Sequence, residues 1–494
     1  MAVVIALDAG TTGVRAFAVD ESGTPVGFRY QEFTQHFPRP GWVEHDATEI
    51  WTSMVAVTSR LITELGQPVA AIGITDQRET IVAWDRRTGR PRHRAIVWQD
   101  RRGADRCAEL AEAGHLDRVR GTTGLVLDPY FSATKVEWLL REGGVEADEH
   151  LCLGTIDTWL LWNLTGGATF ATEPSNASRT LLYDIRRQAW SDELTDLFGV
   201  PAAALAEVRP SSGRFGVTIA DTGLPAGIPI SGIAGDQQAA LFGQACFTPG
   251  MTKNTYGTGS FVLMNVGRGC PEPVEGLLTT VAWNLTDDPA TAEYAYEGAI
   301  FSTGSAVQWL RDGLGVIERA ADVGPLAETV DGTDDVYLVP AFTGLGSPWW
   351  DPHARGLLVG FTRGTTRAHL ARAVIEAMAY QTRDVVDSMV AASGHDVTEL
   401  RVDGGASAAD LLLRIQADQL GVAVTRAAIQ ETTALGAAYL AGLAEGVWAS
   451  TDEITGLWAA DVTVEPADDR TEADRLHARW REAVGRSRGW DAAG

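Results

Sequence analysis

The sequence predicts an α/β protein built of two similar halves. An apolar strand over residues 3–7 meets a tight turn, Asp8-Ala9-Gly10-Thr11-Thr12-Gly13, and returns as a strand over 14–20. The same strand–Gly/Thr turn–strand pattern recurs at Lys253-Asn254-Thr255-Tyr256-Gly257-Thr258-Gly259-Ser260, followed by a strand over 261–266. Two such beginnings suggest a duplicated architecture, and 494 residues exceed a single ordinary core. The division falls between 244 and 252, giving halves of 1–246 and 247–494.

Taken in order, the first half opens as a β-meander, with a third strand over 26–33 after the turn Glu21-Ser22-Gly23-Thr24-Pro25. A dinucleotide-binding unit would instead run its first strand directly into a helix. Asp46 is placed to cap a helix reaching about residue 65, with Ile50, Met54, Val57 and Leu61 at helical spacing. A buried strand over 69–75 ends at Asp76-Gln77-Arg78-Glu79-Thr80, and strands over 81–85 and 95–98 are expected to continue the same sheet. Helices are expected at 101–113, 132–142 and 191–197, and the half closes on Gly232 to Gln244. The second half adds helices near 303–313, 369–393, 408–420 and 433–446, and a strand over 400–402. Its acidic stretch 461–475 reads as an exposed tail.

Composition narrows the function classes. Hydrophobic residues make up 45% of the chain, enough for globular packing. No run approaches the ~18 apolar residues of a membrane span. The N-terminus has no basic region, and its apolar run ends at Asp8, so it reads as a strand and not a signal peptide. Cys107, Cys152, Cys246 and Cys270 show no metal or redox spacing, so a reduced, cytoplasmic protein is expected. A formal charge of -25 argues against nucleic acid or an anionic membrane as partner. It leaves anionic substrates open, because a local basic cluster can override the global field. Lys135 and Lys253 are the only lysines, and neither lies in a G-x-x-x-x-G-K-[ST] loop. Any nucleotide site here is not a P-loop.

Four corners carry candidate chemistry. The amides and hydroxyls of Gly10 to Gly13 can cradle phosphate oxygens without a lysine, and Asp8 at the strand end can hold Mg²⁺ directly or through water. The same residues also suit an ordinary hairpin turn. Thr255 to Ser260 offers a second such turn, and Val402-Asp403-Gly404-Gly405-Ala406 a glycine corner suited to adenosine. Gly235-Asp236 stands between a strand and a helix, where the carboxylate either caps the helix or faces a ligand. The three turns in this order, together with Gly235-Asp236, resemble a constellation seen in the actin-like ATPase fold.

The resemblance becomes specific in longer segments. Pro40-Gly41-Trp42-Val43-Glu44-His45-Asp46, Gly73 to Thr80, Ala95-Ile96-Val97-Trp98-Gln99, Asp128-Pro129-Tyr130-Phe131-Ser132, Asn176-Ala177-Ser178-Arg179-Thr180, Ser231 to Gln244, Lys253 to Gly259 and Pro340 to Gly346 resemble the FGGY carbohydrate kinases. The resemblance runs from about residue 3 to about residue 460 and is strongest toward the members that act on glycerol. It implies two actin-like (ribonuclease H-like) domains with the active site in the cleft between them. It also implies ATP and Mg²⁺ as cofactors, a small polyol as substrate, and a homo-oligomer, dimer or tetramer.

By that resemblance the polyol sits among Arg78, Glu79, Trp98, Tyr130, Asp236, Gln237 and Phe261, with Asp236 as general base. The residue types suit a triol, which needs donors and acceptors for its hydroxyls and apolar faces for its carbons. Read alone, Arg78 and Glu79 would make a surface ion pair, and Trp98, Tyr130 and Phe261 core. Thr11, Thr12, Gly13, Arg15 and Thr258 would hold phosphates; Gly304, Gln308, Gly405 and Ala409 would line the nucleotide; Asp8 would help hold Mg²⁺. A helix N-terminus is expected to favour the ionised form of Asp236. The sequence departs from the family pattern at Ala9 (usually Gln), at Asp76 (usually Asn) and at Ala409, where an Asn is usual. Some bacterial members bind a sugar bisphosphate through an arginine in the loop before the catalytic strand. Residues 221–228 contain no arginine, so that control is expected to be absent. The alternatives are a kinase for a related polyol or sugar, a non-enzymatic actin-like ATPase, and a weakly catalytic paralogue.

Overall fold

A computed structural model describes residues 2–491. Two large sheets share one plan. The first runs Ser212–Val217, Pro229–Gly235, Val69–Asp76, Val3–Ala9, Gly13–Asp20, Pro25–Glu32. Its first three strands in sequence form an antiparallel meander, and Val69–Asp76 and Pro229–Gly235 add in parallel. The second runs Leu278–Trp283, Glu293–Ile300, Ser260–Arg268, Thr252–Tyr256, Glu399–Asp403, Ala423–Ala427, Ala460–Val464. It too is an antiparallel meander extended by parallel strands and closed by an antiparallel edge. The duplicated architecture read from the two Gly/Thr turns is thus visible in the strand order.

Strand alternation assigns the faces. Val3, Ile5 and Leu7 point to helices Ala47–Leu65 and Ile156–Leu164, meeting Ile50, Met54, Val57, Leu61 and Trp159. Asp46 caps the first of these, its carboxylate accepting from the amides of Thr48 at 2.8 Å and Glu49 at 3.3 Å. Val4 and Ala6 point the other way, into a core shared with the second sheet's Leu263, Ala282 and Ala295. Two helices fill that core, Asp236–Gly243 and Thr432–Ala444. The second helix comes late in the chain yet packs on the first sheet, so the halves are clasped together. Its contact with the Asp236 helix is backbone to backbone, since a Cβ on Gly436 would overlap the carbonyl oxygen of Ala239.

Several expectations change. Ile81–Asp85 and Ala95–Ile96 do not continue the first sheet. They join a separate five-stranded sheet, pairing with each other and with Leu151–Thr155 and Glu44–His45. The cause is local: Glu79 adopts φ 63°, a left-handed kink that turns the chain out of the first sheet's plane. Trp98 lies beyond its strand. The helix expected over 303–313 is Gly304–Gln308 followed by a wider turn, Trp309–Gly313. The acidic stretch 461–475 is mostly exposed, as expected, but it is not a free tail. Ala460–Val464 closes the second sheet, and helix Thr471–Ser487 buries Trp480 against Tyr380. Among the described residues no helix is long and apolar enough to cross a membrane.

Gly436→Ala should wedge the two central helices apart and destabilise the protein by about 1–3 kcal/mol, the range for overpacking. A thermal melt checks it; an unchanged Tm would mean that the helices can separate freely.

Candidate active site

The kink at Glu79 faces a cluster of buried charges. Arg78 and Glu79 are 2% and 1% exposed, so they are not a surface pair. Arg78 forks onto Glu297 of the second sheet, Nη1 to Oε2 at 2.5 Å and Nη2 to Oε1 at 3.1 Å. Nη2 also reaches the Tyr130 hydroxyl at 3.2 Å, and Nε lies 3.2 Å from Asp236 Oδ1. Arg179, fully buried, donates from Nε to Glu79 Oε1 at 2.7 Å and from Nη2 to Glu297 Oε1 at 2.9 Å. Burial opposes ionisation of Glu297, yet Arg179 and Arg78 hold its carboxyl down at about 2. Burial raises Glu79, against the pull of both arginines. Phe261 lies under the Arg78 guanidinium at 5.7 Å, and Trp98 packs edge-on to Tyr130 at 5.5 Å.

Asp236 is the first residue of its helix; Gly235 holds the cap position, so the carboxylate is not the cap. Its side chain is 29% exposed, unlike its neighbours in the cluster. The Gln237 amide donates to Oδ1 at 2.7 Å, the oxygen that Arg78 also faces. Among the described residues Oδ2 accepts no hydrogen bond, which leaves one oxygen of the partly exposed carboxylate open. The expected ionising effect of the helix N-terminus does not prevail. Burial raises the pKa of Asp236, outweighing Arg78, Lys253 and the Gln237 amide.

Both lysines are braces. Lys253 donates to Gln237 Oε1 at 2.5 Å and Thr255 Oγ1 at 2.9 Å. Lys135 donates to the carbonyls of Pro129, Tyr130 and Phe131 at 2.8, 2.5 and 2.9 Å, fixing the loop that carries Tyr130. Burial pushes each down to about 8.

The Gly/Thr turn of the first half is held from below. Gln77 Nε2 donates to the Gly10 carbonyl at 3.0 Å, and Gln35 Nε2 to that of Thr11 at 3.0 Å. Between them lies His45, Nε2 2.7 Å from Gln35 Oε1, and burial pushes its pKa down to about 4, so the ring is neutral. Trp98 Nε1 donates to Thr11 Oγ1 at 2.9 Å, joining the aromatic wall to the turn. Thr12 is exposed, Gly13 opens the second strand, and Arg15 is ion-paired with Glu431. Burial lifts Asp8 to about 6, with Arg15 opposing and Asp236 adding to the rise.

In the second half, Gly304 N–H reaches the Gly257 carbonyl and Ser305 N–H that of Thr258, at 3.1 and 3.0 Å. Gly404, with φ 84°, lies so close to the Thr252–Tyr256 strand that a Cβ would overlap the Tyr256 carbonyl oxygen. Thr258, Gly304, Gly405 and Ala409 thereby border one region, with Gln308 exposed one turn onward. Among the described residues no hydrogen bond or ion pair joins these five to the charge cluster. Asp403 is held by Gln244 and Thr432, each at 2.7 Å.

The seven polyol candidates are brought together, with the turn of Thr11, Thr12, Gly13 and Arg15 joined to them through Trp98; Thr258, Gly304, Gln308, Gly405 and Ala409 form the separate second border. Sequence reasoning missed Glu297, Arg179 and both braces. Glu297 had one signal, a charge within the apolar strand Tyr294-Ala295-Tyr296-Glu297-Gly298-Ala299. Behind Asp236 lies a further set of buried acids. Asp76 accepts from Asn176 Nδ2 at 3.0 Å and from the Asp157 amide at 3.3 Å. Burial, then the Asp157 carboxylate, raises Asp76 well above the usual range. Burial lifts Glu173 to about 7, against its hydrogen bonds from Ser175, Asn176 and Ser211.

Comparison with known proteins gives a consistent result. Residues 3–243 match the N-terminal domain of the FGGY family of carbohydrate kinases, and residues 252–445 its C-terminal domain. The chain is 54% identical to a glycerol kinase of Bordetella parapertussis, over 99% of this chain and 97% of that one. It is 53% identical to glycerol kinase 2 of Thermotoga maritima, over 99% and 100%. Its structure is similar to that of Plasmodium falciparum glycerol kinase with ADP, with a TM-score of 0.93, 34% identity, and 99% and 98% coverage.

A carboxyl whose folded pKa is raised binds more protons folded than unfolded, so its stability cost grows as pH rises from the ordinary carboxylate range through the folded value. Asp76→Asn removes that cost. Its Tm should exceed that of the parent at pH 8, with the difference shrinking toward pH 5. A lower Tm at pH 8 would contradict the assignment.

Proposed function

The chain belongs to the FGGY family of carbohydrate kinases, and from that premise we propose that it transfers the γ-phosphoryl group of ATP to glycerol, giving sn-glycerol 3-phosphate, with Asp236 as general base. The observation that carries the reading is the open Oδ2 of Asp236 beside Arg78, Glu79 and Tyr130, with apolar walls at Trp98 and Phe261. The high identity to glycerol kinases over nearly the whole chain favours glycerol over other polyols.

In this reading Arg78, Glu79 and Tyr130 orient the hydroxyls, Gln237 lines the pocket, and Trp98 and Phe261 cover the carbons. Asp236 Oδ2 accepts the proton of the terminal hydroxyl as that oxygen attacks phosphorus. A carboxylate raised by burial is a better base near neutral pH than an exposed one. Thr11, Thr12, Gly13 and Thr258 hold phosphates, and Arg15 exchanges Glu431 for them; Gly304, Gln308, Gly405 and Ala409 line the nucleoside. Asp8 fits Mg²⁺: it is a partly buried oxygen donor, lifted to about 6, with Arg15 as its nearby cation. No cluster of three ligating side chains occurs among the described residues, which suits an ion held by one or two carboxylates plus phosphates and water. Bound there, Mg²⁺ would neutralise charge on the transferring phosphoryl group. The two halves, divided near 246, close on ligand and exclude water that would otherwise take the phosphoryl group.

Asp236→Asn should keep its melting transition and lose glycerol-dependent ADP release by ~10²–10⁴-fold; near-parental turnover would remove Asp236 from the role. ADP release should need glycerol, other polyols giving less and an ATP-only blank almost none. Millimolar fructose 1,6-bisphosphate should leave the rate unchanged; inhibition would show a bisphosphate site outside the arginine-free loop 221–228.

A further inference from the structure

Glu297 stands apart in the charge cluster. Arg78, Arg179 and Glu79 come from the first half of the chain, but Glu297 comes from the strand next to one edge of the second sheet, Glu293–Ile300. It is fully buried and spends both oxygens on the two arginines. Arg78 faces Asp236, and Arg179 holds Glu79. The other Arg179 terminal nitrogen, Nη1, has no hydrogen-bond partner among the described residues, so Glu79 and Glu297 are its only acceptors. Two side chains expected on the polyol, Arg78 and Glu79, are thus aimed through one carboxylate of the opposite half.

We propose that Glu297 is a positioning residue for phosphoryl transfer, fixing Arg78 and Arg179 and carrying the seating of the second sheet into the polyol pocket. This rests on the assignment of Asp236 as base. Glu297 neutralises much of the Arg78 charge at the place where Arg78 meets that base. The charged groups acting on Asp236 are Arg78, Lys253 and Glu297, with Asp8 and Asp76 from the first sheet. Loss of the Glu297 charge leaves Arg78 with greater pull on Asp236, which moves the base to a lower pKa.

The test is steady-state kinetics of Glu297→Gln and Glu297→Asp over pH 5–9, with Asp236→Asn and the parent alongside. Glu297→Gln should raise the KM for glycerol on the order of tenfold or more, the size expected for charge-assisted hydrogen bonds. The KM for ATP should change little, and the acid limb of kcat/KM for glycerol should move to lower pH. Glu297→Asp keeps the charge and shortens the stem. It should raise the KM for glycerol while leaving the acid limb in place, a split that a merely structural role would not produce. If Glu297→Gln does not fold, Glu297→Asp decides alone. An unchanged KM for glycerol in the folded Asp variant overturns the proposal, as does an unmoved acid limb in a folded Gln variant. Failure of Glu297→Asp to fold would make the residue structural only and also overturn it. A parent without glycerol-dependent turnover, or an active Asp236→Asn, would take down the base assignment and this proposal together.

Discussion

The structure turns on a buried lattice of four charges: Arg78, Arg179, Glu79 and Glu297. Placing these groups away from water is costly, and buried ion pairs contribute little net stability. What the lattice provides is geometry. Each arginine has a carboxylate on each side, and the lattice ties a strand of the second sheet to the kinked corner at the end of a strand of the first. Asp236 sits at its rim, where one oxygen is engaged and the other is open.

The packing behind that rim explains why the lattice can be shared. The Asp236 helix and the Thr432–Ala444 helix fill the core that the two sheets share. The same late helix carries Thr432, which holds Asp403 at the second-half glycine corner. The preceding Glu431 pairs with Arg15 beside the first-half turn. A shift of that helix would therefore be felt beside the first Gly/Thr turn, at the second-half glycine corner and, through its packing on the Asp236 helix, at Asp236.

Much of this was legible in the sequence, for identifiable reasons. The two Gly/Thr turns marked the duplicated sheets, and the Asp46 cap and the 3.6-residue spacing after it fixed the first helix. The helix Ile156–Leu164 left no such trace, because it is buried nearly all round and lacks a polar face. The separate sheet of Ile81–Asp85 depended on a left-handed Glu79, a residue type that does not announce that conformation. At the site, the polyol set was found through resemblance and then seen to converge. Glu297 and Arg179 were missed because their partners lie 100 residues or more away in sequence, at 219, 118 and 100 positions of separation. The effect on Asp236 was misjudged because helix position is readable from sequence, whereas burial is a property of the assembled fold.

On this reading the protein directs a phosphoryl group to the terminal hydroxyl of a small triol. This is tested most directly by ³¹P NMR of the products from glycerol, ATP and Mg²⁺. One glycerol phosphomonoester, esterified at a terminal carbon, should appear together with ADP. Inorganic phosphate as the only new product, or an ester at the central carbon, would contradict it.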